Sequence, residues 1–318
     1  MTQIMRSKAL WAAAVSAILV GMTNYFARVF LDASGNDLMK YLSGRFGMAF
    51  LAMLILLISG KFHIRFWGNR RAWLLVLNGV LNPLLAQVLE TTAILYASTA
   101  QVAIFLSLIP LFVVLFNIVL NREIPVWRQM LFMMLTVFGV LVVRLAGGES
   151  GESGSLIGFL LCMMTCVVVG LQRALVRRLT AEFSSFEIIF ASSGTSAVVF
   201  TAISVIRHLL NGSLTAYFDC LQVPGVFFAV FYNGVISCAL GFLLMTYAAG
   251  KLPVPIAQTI SLLNMPVAIL AGIILLRETF TLLDGIGSVF VIAGIVGASF
   301  CYDSKDIKHN QFHLPKEE

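Results

Sequence analysis

The sequence predicts an all-α integral membrane protein of ten transmembrane helices, arranged as two inverted five-helix repeats. Three observations carry this reading. The 318-residue chain is 59% hydrophobic and only 11% charged, whereas soluble domains are about 45–50% apolar and about 25% charged; its mean hydropathy is +0.95. The apolar residues fall into ten runs, each long enough for a hydrocarbon core that takes about 20 residues of helix to cross. A single Gly/Ser/Glu-rich stretch, GGESGESGS at 147–155, divides those runs five and five.

The runs are 9–30, 38–60, 72–97, 99–120 and 127–145, then 155–177, 184–208, 224–248, 254–276 and 282–302. Helices are the expected form, because lipid offers no partner for backbone N–H and C=O groups and a helix satisfies its own. Arg6 and Lys8 precede the first run as they would in a signal peptide. That run is long, however, lacks a convincing small-residue cleavage site, and carries Ala13, Ala17 and Gly21 at four-residue spacing. Such a stripe suits close helix packing, so the run reads as a retained span. Residues 1–146 are then the first repeat, 147–155 an external linker, 156–302 the second repeat and 303–318 a cytoplasmic polar tail.

Charge sets the expected orientation. The net charge is +6, and the basic residues cluster between apolar runs. With the N-terminus inside, 15 of the 21 basic residues face the cytoplasm, Arg173, Arg177 and Arg178 among them; Arg28, Lys40, Arg144, Arg207 and Arg277 face out, and Arg45 lies within a span. The positive-inside rule therefore puts both termini in the cytoplasm of a multi-pass plasma (inner) membrane protein. A positive balance distributed this way points to the lipid bilayer as partner and not to nucleic acid.

Chemistry is sparse. Cys162, Cys166, Cys220, Cys238 and Cys301 are odd in number and scattered, which implies no disulfide framework. Cys162 and Cys166 share a helix face but have no His or acid nearby in sequence, so no metal site is expected. His63, His208, His309 and His313 lie at or beyond span ends, and neither His-Glu-x-x-His nor Gly-x-Ser-x-Gly occurs. No Gly-Lys-Ser/Thr follows the linker, so it is not a phosphate-binding loop. The chain reads as a non-enzyme with no catalytic residues and no cofactor.

The halves repeat a pattern. Tyr96-Ala97 leads to Pro110, Asn121-Arg122-Glu123 and Gly139; Tyr247-Ala248 leads to Pro266, Leu276-Arg277-Glu278 and Gly294. Both Glu123 to Glu278 and Gly139 to Gly294 are 155 residues apart. With five spans per half, the second copy enters from the opposite face, an arrangement that places a binding site near the midplane between the halves.

This doubled pattern of tyrosine and small residue, mid-span Pro, Arg-Glu and Gly resembles the EamA-like branch of the drug/metabolite transporter superfamily. The resemblance covers most of 9–302. It implies a secondary transmembrane transporter working by alternating access, with exporters of amino acids and other metabolites in the family and carriers of nucleotide-sugars and phosphorylated sugars in related branches. The expected function is export of small metabolites such as amino acids, or of amphipathic drug-like compounds. A small-molecule substrate is the expected partner, protons are the candidate coupled ion, and a homodimer is the candidate assembly. A membrane channel or non-transporting sensor is the alternative class. The second half departs from the first by five additional residues between Tyr247 and Pro266, where Pro253 and Pro255 sit.

Candidate residues follow from depth and polarity. Pro110 and Pro266 fall near mid-span and free the carbonyls of Leu106 and Leu262, which makes each a hinge candidate or a simple packing kink. Asn82, Ser107, Asn233, Ser237, Gln258 and Asn264 lie within a few turns of the midplane and are expected to face the protein interior. Arg45 and Glu90 are the ionisable groups furthest from any loop. Each is seven residues from the outer end of its run, about 10 Å deep at a rise of about 1.5 Å per residue, so an ion pair is expected. One reading makes it structural; the other has Glu90 exchange a proton or a substrate amine while Arg45 holds its pKa down or receives a substrate carboxylate.

The interval of 151 from Tyr96 to Tyr247 makes Gly241 the counterpart of Glu90. Asn24, Tyr25 and Gln101 fall at similar depth and extend the candidate site, with interfacial anchoring the alternative for Tyr25. Arg28 and Asp32 form an i, i+4 pair, Arg173 and Arg177 are expected to snorkel to cytosolic headgroups, and Arg122-Glu123 and Arg277-Glu278 read as capping or gating elements.

Overall fold

The computed structural model describes residues 3–60, 62–64, 70–121, 127–146, 156–211, 222–252, 257, 260–261, 263–278 and 280–300. Among them every regular element is helical. The first half contains α1 (Gln3–Gly21), α2 (Thr23–Ala33), α3 (Leu38–Ile58), α4 (Trp73–Gly79), α5 (Ala86–Ile94), α6 (Thr99–Leu106), α7 (Ile109–Asn121) and α8 (Trp127–Ala146). The second contains α9 (Leu156–Glu182), α10 (Ser185–Leu210), α11 (Pro224–Phe231), α12 (Phe242–Lys251), α13 (Asn264–Leu275) and α14 (Leu282–Phe300).

The sequence marks several starts. Asp37 accepts a hydrogen bond from the Lys40 amide at the head of α3; Ser98 does so from the Gln101 amide at α6. Ser184 and Glu187 form a complete capping box at α10, in which each side chain satisfies a backbone donor that the first helical turn leaves open.

Among the described residues, seven helical runs are long and apolar enough to cross a membrane: Lys8–Ala33, Leu38–Ile58, Trp73–Ile94, Thr99–Leu120, Leu156–Glu182, Ser185–Leu210 and Pro224–Lys251. Met130–Val143, Asn264–Leu275 and Leu282–Gly297 are apolar but shorter. The expected ten spans are thus met by length in seven. The ninth predicted run, 254–276, has its long described helix only from Asn264 onward. The sixth span runs on to Glu182, five residues beyond the predicted end at 177. Large apolar side chains such as Trp11, Ile55, Val119, Val198, Ile274 and Val289 point outward, the arrangement that lipid stabilises and water does not. The linker at 147–155 and the tail at 303–318 lie outside the described residues, as do Arg122 and Glu123.

The third span of each half is interrupted by a wide π-type turn, Val80–Leu85 between α4 and α5 and Tyr232–Gly241 between α11 and α12. In the first, Asn82 leaves the helix altogether with φ −149° and ψ 115°, the extended conformation that a following proline favours. Such turns recur at functional sites because they loosen the i to i−4 ladder and redirect side chains.

Close glycine contacts show how the halves face one another. A Cβ on Gly139 would lie 2.7 Å from the Gly287 carbonyl oxygen and 2.8 Å from the Val291 nitrogen; one on Gly294 would lie 2.6 Å from the Phe132 oxygen and 2.7 Å from the Thr136 nitrogen. All three correspondences, 139 to 294, 132 to 287 and 136 to 291, step by 155. Gly79 against Ser192 and Thr195 is matched by Gly234 against Arg45 and Met48. Gly21 against Val267 is matched by Gly170 against Phe112. Reciprocal contacts of this kind are what a pseudo-two-fold axis between the halves produces. They also correct one equivalence: Gly79 and Gly234 put the third spans in register at 155, so Glu90 corresponds to Met245 and not to Gly241.

Candidate functional site

A central cavity lies where α1, the two π turns, α9, α10 and α13 converge. It has two adjoining compartments of ≈ 130 and ≈ 100 Å³ that share Val20, Asn82, Arg173, Phe242, Ser261 and Asn264 as walls. The larger reaches Arg177, Ser193 and Thr246. The smaller reaches deeper, to Asn24, Arg45, Gln87, Glu90 and Pro110.

Arg45 and Glu90 both reach the smaller compartment, but among the described residues they make no direct ion pair. Gln87 bridges them: its Oε1 accepts from Arg45 Nη1 at 2.5 Å, and its Nε2 donates to Glu90 Oε2 at 2.9 Å. Gln87 stands one turn before Glu90 on α5, so one helix face presents both. On its other side Arg45 Nη1 donates to Tyr41 Oη at 3.5 Å, which also accepts from Asn233 Nδ2 at 2.8 Å; Asn233 Nδ2 lies 3.3 Å from the Thr23 carbonyl. A polar chain therefore crosses from α5 through α3 and the second π turn to α2. Arg45 is 2% exposed, and its Nε finds no partner among the described residues.

The related position in the other half holds amides and hydroxyls. Asn78, 155 residues before Asn233, donates to Ser192 Oγ at 2.7 Å and accepts from Gln172 Nε2 at 2.8 Å. Gln172 in turn accepts from Asn82 Nδ2 at 3.4 Å. Asn82 Oδ1 is a buried acceptor without a partner among the described residues. Because Gly79 meets Ser192 where Gly234 meets Arg45, Ser192 takes the place of the arginine, and the two-fold relation is broken in charge at this level.

Of the sequence-expected residues, Arg45, Glu90, Asn24, Asn82 and Asn264 line the cavity, and Pro110 does so with Leu106. Asn233 and Ser237 are fully buried behind it; Ser237 Oγ and Thr23 Oγ1 lie 2.6 Å apart. Ser107 bonds the Ile104 carbonyl in its own turn, Gln101 is buried away from the cavity, and Tyr25 packs edge-on against Phe26 with ring centroids 4.9 Å apart. None of these five forms its wall. Gln258 and Leu262 lie outside the described residues.

The proline expectation is also refined. Pro110 is the second residue of α7, after a break at Ser107 and Leu108; Pro266 is the third residue of α13 and is not part of the wall. Both sit in first turns, where the missing N–H costs little.

Sequence reasoning missed Gln87 and Arg173. Arg173 and Arg177 are both expected to snorkel towards headgroups; Arg173 forms part of both compartments and Arg177 part of the larger. The extra length of α9 explains this: with the helix ending at Glu182, Arg173 stands about 14 Å from that end at about 1.5 Å per residue. The i, i+3 pairing of Gln87 with Glu90 was the available signal for the former.

On the far side of Arg45 and Glu90, helix ends are tied together. Glu278 accepts from the Thr99 amide at 2.8 Å and the Ala100 amide at 3.1 Å, capping α6 across the halves. Arg28 donates to the Ile94 carbonyl at 2.7 Å, and Arg207 pairs with Asp37 at 3.2 Å. The expected Arg28–Asp32 pair forms at 3.1 Å.

The sequence profile described as the EamA-like transporter family matches residues 7–145 and again 156–300. The chain is 26% identical over 294 residues to "Uncharacterized transporter YcxC" of Bacillus subtilis, covering 92% of this chain and 93% of that one. It is 23% identical over 286 residues to a "Probable terminal-alkyne amino-acid exporter" of Streptantibioticus cattleyicolor, covering 90% and 88%. A solved structure titled "Crystal structure of protein" shares the fold with a TM-score of 0.65 at 15% identity, over 92% of this chain and 97% of that one.

Proposed function

This chain belongs to the EamA-like transporter family, and on that premise we propose that it is a ten-span secondary carrier of two inverted repeats, exporting a small metabolite by alternating access. The observation that supports this most is the polar cavity between reciprocally packed halves, with Glu90, the one acid the sequence puts deep in an apolar run, on its wall. A buried ionisable group in a membrane is costly to retain without a task or a partner. Glu90 is proposed to exchange a proton for solute, and Asn24, Asn82 and Asn264 to meet the solute's polar groups. An amino acid or an amphipathic relative fits a wall that mixes these amides with Phe242, Met245 and Val20, and the exporter named above is similar over most of this chain. Both termini are proposed to be cytoplasmic in the plasma membrane, from the basic-residue count.

Counterflow in proteoliposomes tests the reading. Solutes that raise the melting temperature of purified protein are loaded inside, and tracer uptake is followed. Saturable trans-stimulation is expected; flux that grows linearly with concentration and shows no trans-stimulation would assign a pore instead.

A further inference from the structure

We propose that Arg45 and Asn82 are the specificity-determining residues of the smaller compartment, which takes a solute carrying a carboxylate and an ammonium on one carbon. The carboxylate accepts from Arg45 Nε and the ammonium donates to Asn82 Oδ1. The proposal rests on the carrier reading and names the solute groups that its site requires.

Unmet hydrogen-bonding capacity supplies the first argument. Among the described residues several buried side-chain polar atoms have no partner, but only Arg45 Nε and Asn82 Oδ1 belong to residues that line the cavity. Both residues border the smaller compartment. One atom is a charged donor and the other a neutral acceptor, and each costs stability while it stays unpaired. A solute that satisfies both must bring an acceptor and a donor close together.

The second argument is that its neighbours fix the polarity of Asn82. Ser192 Oγ donates to the Ile188 carbonyl at 2.7 Å, and with that proton committed it accepts from Asn78 Nδ2. Asn78 Oδ1 then accepts from Gln172 Nε2, and Gln172 Oε1 from Asn82 Nδ2. Reversing one amide in this line would set donor against donor or acceptor against acceptor. The oxygen of Asn82 is therefore the end left unused, and a cationic donor is its complement.

The third argument is where the two unpaired atoms are anchored. Arg45 Nη1 is held by Gln87 and Tyr41, and Tyr41 Oη accepts from Asn233 Nδ2. Asn78 and Asn233, related by the step of 155, lie on the two interrupted third spans. Each unpaired atom thus ends a polar chain rooted in one of these asparagines. A solute that bridges both joins the chains between the halves, where a carrier of inverted repeats holds its cargo. Val20, Ala103, Leu106 and Phe242 on the same wall suit an apolar side chain on the shared carbon.

The test uses full-length purified protein and leucine, with N-acetyl-leucine blocking the amine, leucinamide blocking the carboxylate and N-acetyl-leucinamide blocking both. The ligand-induced rise in melting temperature gives the half-saturating concentration of each. Leucine is expected to bind at least about tenfold more tightly than either singly blocked analogue. Asn82→Leu should erase the advantage of leucine over N-acetyl-leucine and keep its advantage over leucinamide; Arg45→Gln should do the converse. Should either fail to fold, Asn82→Ser and Arg45→Lys replace them and are expected to reduce the same advantage in part. The order of the four probes on the unaltered protein is read without any substitution.

The proposal is overturned if either singly blocked analogue binds as tightly as leucine, or if no probe shifts the melting temperature. It is also overturned if the folded variants leave the order unchanged or weaken all four probes alike, as a purely structural role would. Counterflow of the same probes separates this site from the carrier reading. The expected order without trans-stimulation would remove the carrier and keep the site; trans-stimulation by N-acetyl-leucine or leucinamide equal to that by leucine would do the opposite.

Discussion

Arg45 reaches Glu90 only through Gln87, whose carbonyl takes the guanidinium at 2.5 Å and whose amide nitrogen gives to the carboxylate at 2.9 Å. A side-chain amide can accept from a cation through its oxygen and donate to an anion through its nitrogen at once. The two charges are therefore coupled while Glu90 still borders the cavity. Gln87→Leu, similar in volume, strands both charged groups and should lower stability by about 1–3 kcal/mol or more. Thermal unfolding of the purified variant checks this; an unchanged melting temperature would show the bridge to be dispensable.

Removing both charges separates structure from mechanism. Glu90→Gln alone leaves Arg45 in excess, so loss of flux is ambiguous. In Arg45→Met with Glu90→Gln, folding should return to near the wild-type melting temperature while pH-dependent transport stays lost. Normal pH-dependent transport by the double variant would assign Glu90 a structural role only.

The paired glycines make a matched prediction. Gly139→Val and Gly294→Val each push a side chain against backbone atoms less than 3 Å away, and each should cost about 1–3 kcal/mol as overpacking does. Gly47, with nothing within 4 Å of its added Cβ, is the control: Gly47→Ala, within α3, should not lower the melting temperature, since Ala is the better helix former. A tolerant Gly139 beside an intolerant Gly294 would break the two-fold relation.

Glu278 caps α6 from the other half of the chain. Glu278→Ala frees two amide donors at a helix start, where a lost cap costs about 0.5–2 kcal/mol. Glu278→Gln, which keeps one acceptor oxygen, should lose less. Melting temperatures in the order wild type, Gln, Ala are expected; equal values for all three would show the cap to be idle.

The proposed topology is checked by labelling in a cysteine-free background. A cysteine in 147–155 should react with an impermeant thiol reagent added to intact cells. One in 61–71 should react only after permeabilisation, and the reverse pattern would invert the orientation.

Composition and period made the membrane class, the two halves and the 155-residue step from Gly139 to Gly294 legible in the sequence, because lipid imposes apolar runs and duplication preserves spacing. That Arg45 and Glu90 lie inside helices, away from any loop, was readable for the same reason, since rise along a helix is nearly constant. Direction around the helix axis was not. Each residue turns a helix by about 100°, and the π turns at Val80–Leu85 and Tyr232–Gly241 shift that phase by an amount no apolar period records. Gln87 between the two charges, Asn82 turned into the cavity, and Met245 in place of Gly241 opposite Glu90 all depend on that shift. Arg173 turned on a helix end: α9 continues to Glu182, which converts a residue that looked near the headgroups into one on the cavity wall. Packing against α7 through Gly170 and Phe112, a contact between distant parts of the chain, fixes which way that face of α9 points.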